Sequence, residues 1–152
     1  MGSQRSARII GVGQAFAGDD GVGREVASRL REVGVDAAIV DGGSGLLNLL
    51  IDATSKVFVV DAVVGGGVPG SLRILSVDDL DRGPRPVSSH GLTVEHAIAL
   101  ARRFSPKLDI CIVGIAIEEP RQSHQGLSPD VAASVPNAVD WLVDSCGAVG
   151  DE

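Results

Sequence analysis

The chain has 152 residues, 44% hydrophobic and 22% charged, which suits one domain of ordinary size and excludes a disordered protein. Aromatics are 3% with no Tyr, and 20 acidic against 13 basic residues give a net charge of −7. Base stacking and attraction to phosphate backbones are both disfavoured, so no nucleic-acid partner is expected.

No apolar run is long enough to span a membrane. The opening MGSQRSARIIGVG turns polar and glycine-rich too early for a signal peptide, so the expected location is cytoplasmic and no membrane partner is expected. Cys111 and Cys146 lie far apart without a CxxC pair and read as ordinary thiols of a reducing compartment. Residues 1–152 read as a single domain, with Met1–Ser6 and Gly147–Glu152 as frayed tails.

In chain order, Ala7–Val12 is a short apolar run closed by Gly13 and predicts a buried strand. Gly21–Val33 carries Val22, Val26, Leu30 and Val33 at helical spacing, with Gly34 as the stop. Ala37–Val40 predicts a second strand, and Ser44 is placed to cap a short helix through Leu50. Lys56–Val64 is rich in β-branched residues and predicts a central strand. After a Pro69-Gly70 turn, Ser71–Leu75 predicts a shorter strand. Asp78–Ser89 reads as a loop and Thr93–Phe104 as a helix with Val94, Ala97, Ile98 and Ala101 on one face. Leu108–Ile117 predicts the fifth strand, and Glu118–Gly126 a polar loop. Ser128-Pro129-Asp130 opens a helix to about Asp144, with Pro136 expected to kink or restart it.

Strands separated by helices imply βαβ units and a mostly parallel sheet covered on both faces. The functional crevice then lies beyond the carboxyl ends of the strands. Three residues reach that end from separate loops. Asp20 belongs to an Asp19-Asp20 pair just ahead of the first helix, where one acid can cap and the other enter the crevice. Asp61 closes the run Val57–Val60, and a carboxylate leaving an apolar strand needs a metal, a cation or backbone donors, or else organises a loop. His90 stands in Ser88-Ser89-His90-Gly91, ahead of the third long helix. Two carboxylates and an imidazole suit a divalent first-row metal and leave coordination positions open.

Other motifs are weaker. Asp41, before Gly42-Gly43, is either a turn residue or a substrate contact. The glycines of Gly11-Val12-Gly13 are followed by Phe16, where a dinucleotide fingerprint needs glycine. HExxH and GxSxG are both absent, His96 and His124 read as solvated, and Cys111 is apolar-flanked and a poor nucleophile.

The segments GVGQAFAGDDGVG, DGGSGLLNLL, FVVDAV, PGSLRIL, SSHGL and GLSPDVAASVP, in this order, resemble the hydrogenase maturation endopeptidases from about Ile9 to Leu142. The resemblance implies a three-layer α/β/α sandwich (phosphorylase/hydrolase-like) around a twisted, mostly parallel five-stranded sheet. It implies removal of a C-terminal extension from the precursor of a nickel–iron hydrogenase large subunit, after nickel insertion. It makes Asp20, Asp61 and His90 both the metal-contacting and the catalytic residues, and turns Asp41-Gly42-Gly43 toward the substrate. The nickel is expected to be carried by the precursor, and no cofactor of the chain's own is implied. The family commonly has Asn where this chain has Gln14, and the longer side chain bears on the Gly13–Asp20 loop and on fine specificity. Two other readings stand beside it: a non-catalytic metal-sensing chaperone for the same partner, and a nucleotide-binding α/β enzyme.

Overall fold

The structure, a computed structural model, describes residues 7–14, 17–81, 85–86, 91–118 and 126–150. Among the described residues six strands form one sheet: β1 (Arg8–Val12), β2 (Ala38–Val40), β3 (Val57–Val64), β4 (Leu72–Ser76), β5 (Arg85–Pro86) and β6 (Ile110–Ile117). The α-helices among them are α1 (Val22–Glu32), α2 (Gly43–Ile51), α3 (Val94–Phe104) and α4 (Pro129–Gly150).

The main sheet has five strands in the order β2-β1-β3-β6-β4. β1, β2, β3 and β6 are parallel, and β4 runs antiparallel along β6. The near-continuous apolar composition of β3 and β6 follows from their position: each is flanked by strands and covered on both faces. Alternation divides β3 between the two faces. Phe58, Val60 and Ala62 join Val22, Val26 and Leu30 of α1 and Val131, Val135, Ala138 and Leu142 of α4 in one core layer. Val57 and Val59 join Leu46 and Leu50 of α2 and Ala97, Ile98 and Ala101 of α3 in the other. The three-layer α/β/α arrangement is therefore the observed one.

Several boundaries differ from the sequence expectation. The stretch expected to be a loop at Asp78–Ser89 holds a 3-10 turn, Val77–Asp81, and the two-residue β5, which pairs antiparallel with Val63 and Val64. Backbone pairing at the end of a central strand outweighs the turn-rich composition there. α2 begins at Gly43 with Gly42 as N-cap and no side-chain cap, so Ser44 lies inside the first turn. α4 neither restarts at Pro136 nor ends near Asp144; it runs unbroken to Gly150, through the start of the expected C-terminal tail. Pro136 is on the exposed face, where water can satisfy the carbonyl left without its N–H partner. Among the described residues no helix is long and apolar enough to cross a membrane.

The sheet order places a topological switch between β1 and β3. The chain leaves β1 through α1 toward β2 on one side, while β3 lies on the other side. Ligands of open α/β sheets bind in the crevice at such a point.

Candidate active site

α1 is seated directly on this crevice. A Cβ at Gly23 would overlap the carbonyl oxygen of Val60 and come within 2.6 Å of that of Val12, so only glycine lets the first turn of the helix approach the two strands so closely. The close approach sets the height of the Gly18–Gly21 turn, a 3-10 turn that runs into α1 and carries Asp19 and Asp20.

The two acids separate as the sequence suggested, but neither caps α1, whose N-cap Gly21 has no side-chain partner. Asp19 instead reaches across 109 positions of sequence. Its Oδ1 accepts the backbone N–H of Ser128 at 2.7 Å and its Oδ2 accepts the Ser128 hydroxyl at 2.8 Å. Asp20 is half-buried, and its Oδ1 is buried without a hydrogen-bond partner.

Asp61 does not end its strand. β3 continues three residues further, because β6 pairs with it in unbroken register as far as Val64 opposite Ile117. What stops here is the neighbour: Gly11 of β1 pairs with Val60, and β1 ends one residue later at Val12. Asp61 therefore stands at the notch left where β1 falls short of β3, and strand alternation turns it to the α2/α3 side. It is 2% exposed. Its Oδ1 accepts the N–H of Ala62 at 2.8 Å, while Oδ2 is buried without a partner.

Burial pushes the Asp61 carboxyl well above the usual carboxylate range; the Ala62 hydrogen bond opposes this, and the charges of Asp20 and Glu95 reinforce it. Burial, then the adjacent Asp19 charge, raises Asp20 as well. A buried Asp61 and a half-buried Asp20, each with an orphaned buried oxygen and the second acting on the first, form an incomplete polar constellation. A cation or a bound proton would offset both the desolvation and the mutual repulsion.

The remaining predicted residues sort as follows. Asp41 is exposed, with its carboxylate 3.7 Å from the Arg24 guanidinium, a surface pair of little energetic weight. With Gly42, Gly43, Ser44 and Gly45 it lines an open groove of about 440 Å³ beyond the end of β2, and the exposed Gln14 lines the same groove. A Cβ at Gly43 would overlap the Leu92 carbonyl and lie 2.7 Å from that of Thr93, so the start of α2 rests on the backbone entering α3. Thr93 caps α3 by accepting the His96 N–H at 3.1 Å. His90 lies outside the described residues, as do Phe16 and His124. Among the described residues no group of three or more His, Cys, Asp or Glu is placed to hold a metal ion. His96 is exposed, and burial pushes the half-buried Cys111 thiol up, which suits neither for chemistry here.

Two interactions have no counterpart in the sequence reading. Glu95 acts on Asp61 from the first turn of α3. The tie of Asp19 to Ser128 has no local signal, because the partner is distant in the chain.

Fold and rim together define an α/β/α protein with an acid pair at the switch point of its sheet. The chain belongs to the hydrogenase maturation protease family, whose sequence model matches residues 22–145. As a member it is a protease, and so a hydrolase. It is 27% identical, over 91% of its length and 93% of the relative's, to a protein of Methanothermobacter thermautotrophicus named coenzyme F420 hydrogenase subunit delta. Its fold matches the [NiFe] hydrogenase maturation protease HybD of Thermococcus kodakarensis with a TM-score of 0.77 at 21% identity, covering 93% of this chain and 99% of that one. The HybD endopeptidase of Escherichia coli matches with a TM-score of 0.71 at 25% identity, covering 92% of this chain and 91% of that one.

Proposed function

We propose that this chain is the endopeptidase that removes the C-terminal extension of a nickel–iron hydrogenase large-subunit precursor after nickel insertion, and that it recognises the nickel the precursor carries. The observation that carries the proposal is the pair of orphaned, buried carboxylate oxygens, Asp20 Oδ1 and Asp61 Oδ2, on one rim. Family membership supplies the reaction class.

Asp20, Asp61 and His90 act as ligands to the precursor's metal. Two oxygens and one nitrogen suit nickel and leave positions for the groups the precursor already supplies. Gripping the ion holds the adjoining peptide at the rim, which converts an encounter into a positioned reaction. The groove at Asp41–Gly45, with Gln14 on its wall, receives the polypeptide leading to the scissile bond. The bound ion supplies Lewis-acid polarisation of a carbonyl or of water. A rim carboxylate would accept the proton released as water adds to the scissile carbonyl and return it to the amine that leaves when the C–N bond breaks.

Incubation of the protein with nickel-loaded and with nickel-free precursor, read by intact mass, tests this. Loss of the extension is expected only from the nickel-loaded precursor. Equal cleavage of both would remove the metal check, and cleavage of neither would remove the peptidase activity. Metal binding needs ionised carboxylates and a neutral imidazole. Both carboxyls are raised, so protons compete with the ion at higher pH than for an ordinary Asp. Processing rates measured across pH should therefore decline on acidification through the histidine range and below. A flat profile there would contradict ligation by these groups.

A further inference from the structure

Asp20 can serve the rim only if its turn is held still; at one end the turn runs into α1, whose seat at Gly23 sets its height, and a second tie comes from a side chain. Among the described residues, Gly18–Gly21 has no side-chain cap, its N-cap Ala17 offers none, and the Asp20 carboxylate makes no hydrogen bond. The Asp19 side chain grips Ser128 with both oxygens.

Ser128 is a rigid post. It is the residue before α4, and its carbonyl accepts the first helical hydrogen bond, from Ala132 N–H at 2.8 Å. Asp19 thus satisfies the N–H of the residue at the N-cap position from another part of the chain, as the acid of a capping box does, with its charge at a helix start. α4 is itself fixed by Val131, Val135, Ala138 and Leu142 in the core. Its first turn is braced a second time, because Gly70 of the β3–β4 loop lies so close to the Asp130 carbonyl that a Cβ would come within 2.6 Å.

We infer that Asp19 is a positioning residue, whose two-bond clamp on Ser128 fixes the Gly18–Gly21 turn to α4 and so aims Asp20 into the notch beside Asp61. The inference rests on the endopeptidase assignment for its kinetic consequence, but the clamp itself is a physical claim about the free protein. Asp19→Ala removes both acceptors. Asp19→Asn keeps the shape, since its amide oxygen still accepts the Ser128 N–H and its NH2 can donate to the hydroxyl. Ser128→Ala keeps the backbone bond and loses the other.

Kinetics on nickel-loaded precursor should show kcat reduced roughly 10–100-fold in Asp19→Ala with KM within about 3-fold of wild type, because the groove is untouched while an acting group is misplaced. Asp19→Asn should stay within about 5-fold of wild-type kcat, and Ser128→Ala should fall between the two. Amide hydrogen exchange of the same proteins without precursor reads the clamp directly. The 18–21 and 128 amides of Asp19→Ala should exchange about 10-fold faster than in wild type, with a smaller increase in Ser128→Ala. Unchanged exchange in both variants would overturn the clamp. So would wild-type kcat in Asp19→Ala, or an Asp19→Asn protein as impaired as Asp19→Ala, which would mark a role for the charge alone. If Asp19→Ala does not fold, Ser128→Ala carries the same tests. A wild-type protein that leaves nickel-loaded precursor uncut would sink the endopeptidase assignment instead, and the exchange rates would still decide the clamp.

Discussion

Asp61→Asn is expected to abolish precursor processing while making the free protein more stable at neutral pH. The Asn oxygen can keep the Ala62 hydrogen bond, so the change removes an ionisable carboxyl at nearly constant shape. It also removes repulsion from Asp20 and Glu95. The sign follows from linkage. The Asp61 carboxyl is raised in the folded state above its ordinary 3.8, so the folded protein binds its proton at a higher pH than the unfolded chain does. Wild-type stability therefore carries the full penalty above the raised value, loses it progressively as pH falls, and carries none below about 3.8. Denaturant unfolding of both proteins at several pH values should show the variant ahead at neutral pH, with the gap closing on acidification. A variant less stable than wild type at neutral pH would mean that Oδ2 has a stabilising partner in the free protein.

Gly23→Ala should destabilise the protein by about 3 kcal/mol or more, against the usual direction for a helix position. Helix propensity alone favours Ala over Gly by about 1 kcal/mol. The overlap decides the outcome, because the atoms met are the backbone carbonyls of Val60 and Val12 in paired strands, which cannot rotate away. α1 must lift, and the Asp19-Asp20 turn rises with it, so residual folded protein should also process poorly. Thermal unfolding and the precursor assay together check this. A stabilised Gly23→Ala protein would show that the helix does not sit on the switch point as described.

The parts of the fold visible in the sequence are those written in local patterns. The β-branched run at Val57–Val64 and the helical spacing of Val22, Val26 and Leu30 each follow from a repeat a few residues long. Ser128-Pro129 marked a helix start for the same reason. Features that depend on pairing between distant segments were hidden. The antiparallel direction of β4 and the two-residue β5 are set by β6 and β3 as neighbours. The site divides the same way. Asp20 was conspicuous as one of two adjacent acids ahead of a helix and Asp61 as an acid in an apolar strand, and in the fold the charge of Asp20 acts on Asp61. The tie from Asp19 to Ser128 and the action of Glu95 on Asp61 exist only once the chain is folded.

We propose a shared grip of Asp20, Asp61 and His90 on one divalent ion borne by the precursor. Its most direct test is the intact mass of nickel-loaded precursor after incubation with Asp20→Ala, Asp61→Ala and His90→Ala proteins shown by circular dichroism to be folded. Full-length, uncut precursor is expected with each of the three. Wild-type cleavage by any one of them would take that residue out of the site, and cleavage by all three would contradict the account.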